Sequence, residues 1–60
     1  MNELLTYKEV MAWLKISEST LYRLIKREVF HPIHLSGRSH LARIRKEEVE
    51  RYIEERSHQT

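Results

Sequence analysis

Sixty residues suffice for one domain, close to the smallest that buries a core without a disulfide or a metal. No cysteine is present, which excludes a disulfide framework and a thiolate metal site, and no apolar run approaches a membrane span. The formal charge is only +2 but segregated: Lys8 and Lys15 balance Glu3 and Glu9, six cations outweigh two glutamates across residues 17–45, and five glutamates outweigh three cations across 46–60. A basic middle beside an acidic end is the asymmetry of a small protein that turns one face to a polyanion. Residues 1–16 lack the cationic start and apolar block of a secretion signal, so the expected location is the cytoplasm.

In chain order, a first helix is expected over about 6–15. Thr6 with Glu9 three positions on is a capping box, and Leu5 and Val10 stand where a hydrophobic staple joins the residue before the cap to the first turn. Val10, Trp13 and Leu14 supply its buried stripe. Ser17 is the next N-cap and opens a helix over about 17–28, with Leu21, Leu24, Ile25 and the stem of Glu28 on one face. Two short helices separated by so few residues cross rather than lie side by side, as in a helix-turn-helix, with Ile16 plugging the gap. Lys15 falls in the turn, where a left-handed backbone is expected and glycine would be the cheapest occupant.

The outward face of the second helix carries Ser19, Thr20, Tyr22, Arg23, Lys26 and Arg27, with Ser17 at its start: hydroxyls first, then cations. This order suits a helix laid in a DNA major groove. Small hydroxyls approach base edges and phosphates, Arg23 forks onto guanine, and Lys26 and Arg27 hold the backbone.

From Phe30 and Pro32 the helical period stops. Ile33-His34-Leu35 and Leu41-Ala42-Arg43-Ile44-Arg45 alternate as two half-buried strands of a hairpin over about 33–45, with Ile33 opposite Ile44 and Leu35 opposite Ala42. Its tip presents Gly37, Arg38, Ser39 and His40, a basic wing suited to a minor groove or a phosphate run. A last helix over about 46–56 buries Val49, Tyr52 and Ile53 and turns its five glutamates to solvent, away from a duplex. The expected fold is therefore α+β: one domain, a small three-helix winged helix-turn-helix with a two-stranded hairpin wing.

His31, His34, His40 and His58 have neither cysteine partners nor a helical i, i+4 pairing, so no metal is expected. No motif holds a base beside Ser17, Ser19, Ser36 or Ser39, and no glycine-rich phosphate cradle exists. Neither catalysis nor a cofactor is expected. The alternative from another class is a protein-interaction module, adaptor-like or antitoxin-like, using the acidic last helix with Trp13 or Tyr7.

The series Leu-Leu-Thr, Lys-Glu-Val, Ser-x-Ser-Thr-Leu-Tyr-Arg-Leu-Ile-Lys-Arg, Phe-x-Pro, Leu-x-Gly-Arg and Glu-Val-Glu-x-Tyr-Ile resembles the AlpA-like phage regulator and excisionase family, small winged-helix proteins related to the DNA-binding domain of MerR regulators. The resemblance spans about Leu4 to Arg56 and is sharpest from Ser17 to Arg27. It implies that the second helix reads double-stranded DNA through Ser19, Thr20, Tyr22, Arg23 and Lys26, and that Arg38 and its neighbours in the wing support it. It further implies excision of a prophage or genomic island beside an integrase, or regulation of an integrase gene. Because one domain reads few base pairs, cooperative self-association on adjacent sites is expected. Lys15 and Glu28 stand where the family often has glycine, and Ile44 where tryptophan is common.

Overall fold

A computed structural model describes residues 3–34 and 42–57. The elements in order are β1 (Leu4–Leu5), α1 (Tyr7–Leu14), α2 (Glu18–Lys26), β2 (Ile33–His34), β3 (Ala42–Arg45) and α3 (Lys46–Ser57). The strands form an antiparallel sheet in the order β1-β3-β2, with α1 and α3 packed against β3 and α2 against α1. This is a small α+β winged helix-turn-helix.

Both early helix starts follow from their caps. The Thr6 hydroxyl accepts the Glu9 N–H at 3.1 Å while the Glu9 carboxylate accepts the Thr6 N–H at 2.8 Å. The Thr6 amide first, its hydroxyl second and the field of Arg43 last outweigh a small desolvation, and hold the Glu9 carboxyl below its ordinary value. The cap therefore works fully above the ordinary glutamate range and weakens as pH falls through the lowered value. At the second start the Ser17 hydroxyl accepts the Thr20 N–H at 3.3 Å.

Both helices also stop on left-handed residues that are not glycine: Lys15 at φ 56° and Glu28 at φ 62°. After α1 the Ile16 N–H reaches back to the Met11 carbonyl at 3.1 Å. After α2 the Glu28 N–H donates to the Ile25 carbonyl at 3.0 Å and the Val29 N–H to the Leu24 carbonyl at 2.9 Å, a complete Schellman turn. α2 accordingly ends at Lys26, and Glu28 sits exposed in the turn rather than lending its stem to the buried face. A Cβ is disfavoured at both φ values. Lys15→Gly and Glu28→Gly should each stabilise by roughly 0.5–1 kcal/mol, and thermal melting of a domain this size should register about 4–8 °C per kcal/mol. An unchanged or lowered melting temperature would contradict this.

The core consists of Leu5, Val10, Leu21, Phe30, Ile44 and Val49, with Tyr7, Met11, Leu14, Ile16, Leu24, Ile25, Tyr52 and Ile53 half-buried around it. Leu5 and Val10 share this cluster, as the staple requires. Trp13 does not: it is 42% exposed. α1 buries Tyr7, Val10, Met11 and Leu14, a perfect i, i+3, i+4, i+7 face, and Trp13 falls on the flank of that face.

The hairpin register also differs from expectation by one residue. Ile33 stands opposite Arg43 and His34 opposite Ala42. Phe30, ahead of β2, enters the core, and its ring meets Tyr52 edge to face at 5.4 Å between centroids. Ile33 is left half-buried on the face shared with Arg43. Leu35, its neighbour in the expected pairing, lies outside the described residues. No alternation in the sequence marks β1, which is two residues long. Leu4 pairs with Arg45 and Leu5 with Ile44, and the Lys46 N–H extends the ladder to the Glu3 carbonyl at 2.8 Å. It makes β3 a central strand, which is why Ala42 and Ile44 are buried.

α3 is fastened to the chain leaving α2. Oε1 of Glu48 accepts the His31 backbone N–H at 3.0 Å and lies 3.0 Å from His31 Nδ1, and Arg45 approaches Oε2 at 4.0 Å. Glu48 is thus an exception among the five glutamates expected in solvent: its side chain is only 12% exposed.

Candidate nucleic-acid interface

The turn Lys15–Ser17 sets α2 across the end of α1, and burial of Leu21 fixes the rotation of α2 about its own axis. The opposite side is then exposed: Ser17, Ser19, Tyr22, Arg23, Lys26 and Arg27 are all open to solvent, and Thr20 is half-buried. Ser19, Tyr22, Arg23 and Lys26 follow the i, i+3, i+4, i+7 spacing of a single stripe. Arg27 stands just past the helix as its C-cap, its N–H bonded to the Arg23 carbonyl at 3.0 Å. Arg38, Ser39 and His40, the expected wing contacts, lie outside the described residues.

Three expected contacts already have local partners. Ser17 is the cap, and its hydroxyl also lies 3.0 Å from that of Thr20. The two hydroxyls satisfy one another, leaving at most part of their capacity for a ligand. Tyr22 is 51% exposed and its ring meets that of Tyr7 at 5.8 Å and 84°. Sequence periodicity did not reveal Tyr7 at this surface, because its contact with Tyr22 is made between two helices.

The cations of the α2 stripe differ from those of β3 and the start of α3 in their partners. Arg23, Lys26 and Arg27 form no ion pair with any other described residue, whereas Arg45 has Glu48 and Lys46 has Glu3 at 3.5 Å. Arg43 donates to the Ala42 carbonyl at 2.9 Å. Three of the described cations without an ion pair thus cluster at α2 and its C-cap. The others are Lys8, Lys15, Arg43 and Arg51, with Arg56 stacked on Tyr52, while four exposed glutamates, Glu47, Glu50, Glu54 and Glu55, gather on α3. Among the described residues no group of acids and histidines is arranged to hold a metal ion, and no helix is long and apolar enough to cross a membrane.

A short helix, a tight turn, a second helix with an exposed cationic face and a hairpin behind it define a winged helix-turn-helix domain. The family described as "Helix-turn-helix domain" matches this chain over residues 4–57, and the chain belongs to that family. It is a DNA-binding helix-turn-helix protein. No curated protein and no solved structure matches it.

Proposed function

We propose that the protein recognises a specific duplex DNA site with α2 in the major groove and the hairpin wing over the adjoining minor groove or backbone. It does so as an AlpA-like factor of a prophage or genomic island. The observation that carries this reading is the single exposed stripe of Ser19, Tyr22, Arg23 and Lys26, with no described carboxylate paired to its cations. Hydroxyl and phenol groups near the start of α2 meet base edges, Arg23 forks onto guanine, and Lys26 with Arg27 holds phosphates. Such a protein acts in the cytoplasm by occupancy rather than catalysis: it helps an integrase excise its element, regulates the integrase gene, or both. Several copies bound cooperatively to adjacent sites would supply the specificity that one domain lacks.

Titration of the purified protein onto attachment-region and promoter fragments flanking its own gene, at two salt concentrations and beside unrelated DNA, tests this. Stepwise, salt-sensitive binding confined to the attachment region supports excision, and binding confined to the promoter supports regulation. The exposure of Trp13 favours a second reading, a protein-interaction module. Equal binding to all fragments would move the assignment there.

A further inference from the structure

We propose that Tyr7, on α1, is a positioning residue of the DNA interface: its ring holds the Tyr22 ring in the orientation from which Tyr22 discriminates between bases. The inference rests on the reading of α2 as the DNA-contacting helix. Tyr22 stands in the middle of the exposed stripe, three residues after Ser19 and four before Lys26, and half of its surface is open. An aromatic side chain in that position ordinarily samples several rotamers and must be immobilised when it docks, which weakens binding and blurs selectivity. Here one neighbour is already in place. The Tyr7 ring lies 5.8 Å from the Tyr22 ring at an interplanar angle of 84°, the edge-to-face geometry that aromatic quadrupoles favour.

Tyr7 is itself fixed. It is the first residue of α1, directly after the Thr6–Glu9 capping box, and it packs against the core. Burial first, and the adjacent Tyr22 phenol second, raise the pKa of the Tyr7 phenol above its ordinary value, so it stays neutral wherever the domain operates. A neutral, anchored ring beside a half-exposed one is a support, and it bridges α1 and α2. The orientation of Tyr22 is thus set before DNA arrives, as precise recognition requires.

The test uses a duplex selected by the wild-type protein from a random-sequence pool, and the same duplex with its recognised base pairs replaced. The ratio of the two affinities is the readout. Tyr7→Phe keeps the ring and should keep the ratio. Tyr7→Leu should lower it by about two- to tenfold, the range spanned by an aromatic pair. Added to Tyr22→Leu, Tyr7→Leu should cause no further loss, because the support has nothing left to hold. Tyr7→Met replaces the leucine variant if that protein melts below the assay temperature.

An unchanged ratio in Tyr7→Leu, with affinity for both duplexes reduced alike, would mean that the pair only braces the helices, and would overturn the proposal. So would an undiminished effect in the Tyr22→Leu background, or an equal loss in Tyr7→Phe, which would assign the effect to the hydroxyl. Arg23→Ala run in parallel separates the two readings. If it weakens binding while Tyr7→Leu does not change the ratio, only the role of Tyr7 falls. If neither substitution has an effect, the DNA-contacting face itself is wrongly assigned.

Discussion

Phe30→Ala is expected to abolish the cooperative thermal transition of this domain. Phe30 is buried in the core cluster, between α2 and β2 along the chain, with its ring against Tyr52 of α3. Truncating a buried phenylalanine costs about 3–5 kcal/mol, and a core in a chain this short rarely supplies more than about 3–5 kcal/mol in total. The two quantities cancel. The loss also propagates, because His31, the next residue, carries the two contacts to Glu48 that fasten α3. DNA binding should disappear on every sequence at once, while Phe30→Leu, which refills most of the space, should leave a folded domain with a lowered melting temperature. A normal melting curve for Phe30→Ala would mean that the core is held from elsewhere.

Phe30 also marks the boundary of what could be read from the chain alone. Helix starts were legible because a cap is a local event: Thr6 meets Glu9 and Ser17 meets Thr20, each three residues apart. The left-handed backbone at Lys15 was legible for the same reason, since two helices so close in sequence leave few ways to turn. The exposed face of α2 followed from its period once Leu21 was placed inside. What failed to show depended on partners distant in sequence. β1 is two residues long, too short to alternate, and exists because Arg45 and Ile44 stand beside it. The hairpin register differs by one residue, and Phe30, which the pattern marks only as the end of a helix, is a core residue whose partner Tyr52 lies far along the chain. Counting from Val10 puts Trp13 inside, whereas counting from Tyr7 gives the true face. Nor does any periodicity predict that Tyr7 meets Tyr22, or that Glu48 is spent on His31.

Arg23→Ala is expected to leave the fold intact and to flatten sequence preference. Arg23 is exposed on α2 and makes no ion pair with another described residue, so its removal disturbs little in the free protein beyond the favourable interaction of a cation with the helix C-terminus, about 0.3–1 kcal/mol. On DNA the consequence is larger. A bidentate contact to guanine discriminates by about 1–3 kcal/mol, so affinity for the preferred site should fall by roughly five- to 150-fold while affinity for unrelated DNA falls far less. Lys26→Ala and Arg27→Ala should behave in the opposite manner. They weaken binding to all sequences alike and lower the log–log salt slope by about one unit each, because each contact to a phosphate releases its counterion. Glu28 sits beside Arg27 and opposes both, so Glu28→Gln should tighten binding to every duplex without sharpening preference. A uniform loss for Arg23→Ala, with its salt slope reduced, would move Arg23 from the base edges to the backbone. Reading would then fall to Ser19, Thr20 and Tyr22, whose short or neutral side chains reach base edges only if α2 enters the groove by its N-terminal end.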